Sequence, residues 1–108
     1  MSVYRFLVIT NPVPGQEAQY NDWYDRQHIP DVLRVPGFVA AQRFRVVGES
    51  ALPGQYVAIY ELETDDPAAA LAELTARAGQ PAMPLSDALD RVRVCATLLS
   101  AVTGRVTA

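Results

Sequence analysis

His28 is the one histidine of this 108-residue chain, and Tyr20, Trp23 and Tyr24 precede it within a short stretch. A free imidazole changes charge near pH ~6.5, so His28 is the candidate general acid or base. Tyr20 and Trp23 offer flat walls with one hydrogen-bond donor each, suited to an aromatic or polycyclic ligand. Tyr24 leans toward the core but belongs to the same candidate set. Asn21 stands beside His28 in angular terms and could hold a ligand carbonyl. Arg43 would suit an enolate or carboxylate, with a strand-to-strand ion pair to Glu61 as its plainer role. Gln42 has the opposite strand parity, so only one of the two can face a pocket. Asp25 reads as a solvent-side residue and Asp31 as a helix cap. A proton shuttle between aromatic walls fits enolisation, isomerisation, cyclisation, decarboxylation, retro-aldol cleavage, or oxygenation of a phenol whose anion reacts with oxygen directly.

Other chemistries find little support. A zinc site needs further ligands around His28, and the chain offers only scattered carboxylates, so no metal is expected. Cys95 is the only cysteine and sits in an apolar run, which excludes an internal disulfide and reads as a small buried hydrophobe. Gly15 is isolated and forms no phosphate-binding pattern. The formal charge is −3 and all nine basic residues are Arg, without a basic run, which argues against a nucleic-acid partner. The apolar run Val3 to Thr10 is too short for a membrane span and lacks the layout of a secretory signal. A soluble, cytoplasmic protein with no membrane partner is expected.

The elements that must position His28 follow from periodicity. Val3 to Thr10 is rich in β-branched and aromatic residues and reads as a strand covered on both faces. Asn11 to Gly15 breaks it, and a helix follows from about Gln16 to Gln27. At about 100° per residue, Tyr20, Trp23, Tyr24 and Gln27 share one third of its circumference, with His28 at the edge. That face is aromatic where an ordinary core helix shows Leu and Val. Pro30 predicts a break, with a short helix after it that ends at Pro36-Gly37. A second strand is expected from Phe38 to Val47 and a third from Tyr56 to Glu63, joined as an antiparallel hairpin. Asp65-Asp66-Pro67 opens a second long helix that runs to about Arg77 and stops at Gly79. A helical turn near Ser86 to Leu89 and a last strand from Arg91 to Val102 complete the chain.

One domain, residues 1–108, is expected. The order β-α-β-β-α-β with short loops is the split-βαβ, ferredoxin-like arrangement, an α+β fold with a four-stranded antiparallel sheet. Both long helices then lie on one side, yet the first and last strands are apolar on both parities. An uncovered apolar face of that size predicts a homodimer, two sheets face to face in a dimeric α/β barrel.

The stretch from Tyr20 to Asp31, followed by Val35-Pro36-Gly37-Phe38 and Gln42-Arg43-Phe44, resembles the EthD-like branch of the dimeric α/β-barrel superfamily. The shared features are the aromatic pair on the first helix, the histidine that follows it, the proline, and the Pro-Gly entry into strand two. The resemblance implies a ferredoxin-like protomer, an obligate dimer, and a pocket between the first helix and the sheet. It maps the branch's histidine onto His28 and its aromatic onto Trp23, and adds Phe44 and Met83 to the residues expected at the substrate. Met83 belongs to the loop before the last strand, where pocket walls in this branch vary. The activities implied are cofactor-independent: proton transfer on a small hydrophobic or aromatic keto or phenolic compound, or monooxygenation of a phenol. A non-catalytic ligand-binding protein and a haem-handling protein are the competing classes.

Overall fold

A computed structural model describes residues 2–108. Its elements are β1 (Ser2–Thr10), α1 (Glu17–Trp23), a wide π-helical turn (Tyr24–His28), α2 (Ile29–Val32), β2 (Phe38–Arg45), β3 (Tyr56–Thr64), α3 (Pro67–Arg77) and β4 (Cys95–Ser100). The strands form one antiparallel sheet in the order β2-β3-β1-β4. This is the expected α+β, ferredoxin-like topology, with both crossovers on one face.

Successive strand residues point to opposite faces, and the two faces of this sheet differ sharply. The inner face carries Tyr56, Ala58, Tyr60 and Leu62 of β3, all buried, and Phe6 and Val8 of β1 beside them. Tyr20, Tyr24, Val32, Val35, Ala70 and Met83 pack onto it from the helices and loops. On the outer face lie Val3, Leu7, Ile59, Phe44 and Leu99, with an Arg5–Glu61 ion pair at 3.3 Å among them. Among the described residues no helix covers that face. Val3, Phe44 and Leu99 are more than two-fifths exposed. Cys95 was expected to be buried and is exposed, because β4 is an edge strand and Cys95 pairs with Ile9 on the outer face.

β2 departs from simple alternation. Phe38 pairs with Leu62, but Ala40 pairs with Glu61, a bulge of one residue. A bulge exchanges the faces of everything beyond it. Phe38 is therefore in the core while Phe44, of the same sequence parity, is on the outer face.

The helical segment also departs from expectation. Pro30 does not break it; the chain stays helical from Glu17 to Val32, with Pro30 in the first turn of α2. Proline lacks an N–H and its ring crowds the carbonyl four residues back. The turn just before it is wide, with the Ile29 N–H donating to the Tyr24 carbonyl five residues earlier. A five-residue turn is the π form, often found at functional sites. α3 is as expected: the Asp66 carboxylate accepts from the Ala69 N–H at 3.0 Å, and Gly79, with φ of +83°, follows its end. Ser86 to Leu89 forms a turn and no helix, and β4 is shorter than expected at both ends. No helix among the described residues is long and apolar enough to cross a membrane.

Candidate functional site

The wide turn decides where His28 goes. Residues five apart lie on different faces of a regular α-helix, but a five-residue turn aligns them. His28 accordingly stacks on Trp23, five residues back, with ring centroids 4.7 Å apart and planes 28° apart. The Tyr24 ring meets His28 edge-on at 5.1 Å. Trp23 is itself fixed, its indole N–H donating to the Pro84 carbonyl at 3.0 Å. The loop before β4 is thereby tied to the first helix, and Val13 N–H to Ala88 O at 2.7 Å and Asp90 N–H to Asn11 O at 3.0 Å tie it to the end of β1.

His28, Trp23 and Tyr24 line a cavity of about 240 Å³ between the first helix, α3 and the inner face of the sheet. Its other walls are mostly aliphatic, from Val8, Leu74, Leu85 and Val94 among others, with Thr10 and Tyr60 beneath. Among the described residues two buried side-chain polar atoms have no hydrogen bond of normal geometry, His28 Nδ1 and the Tyr60 hydroxyl, and both residues line this cavity. Buried polar groups are nearly always paired, so such exceptions call for an explanation. A wider, shallower depression of about 400 Å³ runs past Asn11, Arg45 and Gln55, and no such atom belongs to it.

The electrostatics follow from burial. Desolvation lowers the His28 pKa to about 4, helped by the Arg43 charge and opposed by the Asp31 carboxylate. The imidazole is thus neutral through the physiological range, where a free one would be partly charged. Burial raises Tyr24 to about 12 and pushes Tyr60 up further, the Tyr24 phenol adding to the shift on Tyr60. Both phenols are donors at any working pH.

The other expected site residues are placed differently. Tyr20 is fully buried with its hydroxyl bonded to Thr10 Oγ1, below the cavity wall and not part of it. Asn21 faces away from the cavity. Its Oδ1 accepts from Arg43 at 2.8 Å, and its Nδ2 donates to the Glu17 carbonyl at 3.1 Å and the Tyr56 hydroxyl at 3.3 Å. Arg43 faces the helices, but it pairs with Asp25 at 2.7 Å and lies 4.3 Å from the Tyr24 ring centre. The expected pairing with Glu61 does not form, since the two sit on opposite faces of the sheet and Glu61 pairs with Arg5. Phe44 is on the outer face, for the reason the bulge gives. Met83 is buried in the core, and Leu85 supplies the wall expected of that loop. Asp31 is no helix cap: it lies within α2, buried, and is bonded by Gln27 at 2.6 Å and Arg34 at 2.9 Å.

Thr10 and Tyr60 lie outside the expected set. A tyrosine alternating with Ala58 and Leu62 on a strand bound for the core is a signal in itself, since a buried phenol needs a partner.

No family model matches the sequence, and no curated protein does. Solved structures do match. SnoaB, a cofactor-independent oxygenase from Streptomyces nogalater, aligns with a TM-score of 0.64 at 23% identity over 96% of this chain and 97% of its own. The heme-degrader MhuD from Mycobacterium tuberculosis, solved with two hemes in its active site, gives 0.66 at 16%, over 95% and 99%. An EthD family protein from Bacillus halodurans gives 0.52 at 14%, over 94% and 100%. The fold is the one these proteins share. At such identities the likeness is one of architecture, and it bears out the ferredoxin-like assignment. An EthD family protein stands among the structures that share it.

Proposed function

We propose that this chain is a cofactor-independent enzyme that takes a proton from a small phenolic or enolisable aromatic ketone, with oxygenation by dioxygen as the reaction. The observation that carries the reading is the buried, unpartnered Nδ1 of His28, a residue that lines a largely apolar cavity. A neutral imidazole held there is a base without a proton to take. Its depressed pKa makes it weak while the cavity is empty, and an anion forming beside it in a low-dielectric site favours the imidazolium. Proton transfer is thereby coupled to the presence of an acidic substrate. The carbanion or phenolate left behind is the reductant for dioxygen. Where a ring CH₂ becomes C=O, one oxygen atom stays and the other leaves as water with the two hydrogens.

The likeness to SnoaB favours oxygenation over the lyase and isomerase reactions that share the same first step. A haem does not fit the residues present. The cavity lies at or below the small end of the ~300–1,000 Å³ usual for ligands. Apart from neutral His28 it has no basic wall residue to hold two propionates. The outer sheet face supports a homodimer in this reading, a second copy burying Leu7, Ile59 and Phe44.

Oxygen uptake with a panel of anthrones and naphthols tests the reaction. The wild type consumes oxygen, and His28→Gln loses the activity while still binding. Deuterium exchange at the acidic carbon without oxygen uptake would replace the oxygenase by an isomerase or lyase using His28. Binding with neither would leave a ligand-binding protein.

A further inference from the structure

We propose that Tyr60 is a second functional group of this cavity, the hydrogen-bond donor to the ligand's carbonyl or enolate oxygen. The inference rests on the proposed reading and assigns its other half. Tyr60 is 1% exposed, and its ring is wedged between Phe6 and Phe38, with centroids at 6.3 and 5.9 Å. Its hydroxyl can therefore swing little, and the Tyr24 phenol beside it completes no hydrogen bond of normal geometry. Two neighbouring tyrosines are satisfied within the protein. Tyr20 bonds Thr10, and Tyr56 donates to the Glu17 carboxylate at 2.6 Å. Tyr60 forms no such bond, and it lines the same cavity as His28.

Together the two orphans describe the ligand. A neutral imidazole in the tautomer that leaves Nδ1 without a proton accepts, and a phenol that stays protonated donates. The complement is one molecule bearing both an ionisable hydroxyl or acidic C–H and a carbonyl, with flat apolar surface between them. In the reaction, the bond to the acidic hydrogen breaks and the proton goes to His28. The electron pair moves to the carbonyl oxygen as an enolate, which the Tyr60 O–H then holds. A donor placed where charge develops stabilises the anion and the transition state that leads to it more than the bound ketone.

The experiment compares three probe types on the wild type, Tyr60→Phe and His28→Gln: the 2-, 3- and 4-hydroxyacetophenones, phenol, and acetophenone. Ring position varies the spacing of the two groups, so the isomers report the geometry. The wild type binds at least one hydroxyacetophenone about tenfold tighter than phenol or acetophenone, the size of one well-made hydrogen bond. Tyr60→Phe removes only the hydroxyl, lowers that affinity to the level of phenol and leaves phenol binding unchanged. Its thermal midpoint falls little, because the hydroxyl makes no hydrogen bond of normal geometry. His28→Gln instead lowers the affinity for phenol and spares acetophenone. If Tyr60→Phe weakens all three probes equally, or none, the assignment of Tyr60 is wrong even where His28 behaves as expected. If His28→Gln alone is without effect, the reading of His28 fails and that of Tyr60 stands. Failure of every probe to bind the wild type would sink both.

Discussion

The first helical segment presents two polar clusters to the sheet, and they are built on opposite principles. Around Arg43 every group is matched: the guanidinium bonds Asp25 and Asn21 and lies against Tyr24, and Asn21 in turn bonds Tyr56, which bonds Glu17. Around the cavity, His28 Nδ1 and the Tyr60 hydroxyl are more deeply buried and are left without a hydrogen bond of normal geometry. A closed network rigidifies the fold, whereas an open one is a standing cost that a ligand can relieve. The difference separates what holds the helix on the sheet from what the helix is there to present. Arginine, the more conspicuous candidate for binding an anion, falls on the structural side of that division.

The largest effect expected tests the open side. His28→Gln lowers turnover about 10²- to 10⁴-fold, the range of general acid–base catalysis, with little change in stability at pH 7. If turnover persists, the cavity has no catalytic base in His28 and the contrast loses its functional meaning. The same residue sets a pH dependence. Its pKa falls from 6.5 unfolded to about 4 folded, so the unfolded chain binds the extra proton. Stability is full above pH ~6.5 and is lost as pH falls toward 4, by up to about 3 kcal/mol. Urea unfolding at steps between pH 7 and 4 should show this loss, and His28→Gln should remove His28's share of it. A wild-type imidazole titrating near 6.5 by NMR would contradict the burial on which this rests.

Arg43→Met tests the closed side. It leaves the Asn21 oxygen without its donor and removes the charge against Tyr24, at a cost of about 2–3 kcal/mol in denaturant unfolding. Turnover of the folded fraction changes less than threefold. A large loss of activity at full stability would return Arg43 to the substrate, as the sequence suggested.

The contrast was half legible in the residues. Trp23 and His28 could be found because an aromatic face on a short helix is unusual, and the strand order followed from loop lengths and turn residues. Regular geometry then misled twice. A uniform 100° step puts Tyr20 and His28 near one face, whereas the wide turn before Pro30 carries His28 over Trp23 and leaves Tyr20 in the core. Unbroken alternation puts Phe44 with Phe38, whereas the bulge at Val39 separates them. Neither irregularity has a strong local signature. Both are settled by packing, the first by accommodating Pro30 and the second by burying Phe38 while Arg43 reaches the helices. Tyr60 escaped for a different reason. A strand tyrosine is common, and only the absence of a partner, visible in three dimensions, distinguishes it from Tyr56.

The smallest effect concerns the outer end of the closed network. Asp25 is the more exposed partner of the Arg43 ion pair, with 62% of its side chain accessible against 15% for Arg43. An ion pair open to water at one end is screened and contributes about 0–1 kcal/mol. Asp25→Ala should therefore cost under about 1 kcal/mol, and less still in high salt. Arg43 stays in place because Asn21 and the Tyr24 ring still hold it. The comparison with Arg43→Met is the useful one: two substitutions at one ion pair, with unequal costs. Equal costs in the two variants would mean that the pair itself, and not the packed guanidinium, secures this end of the helix.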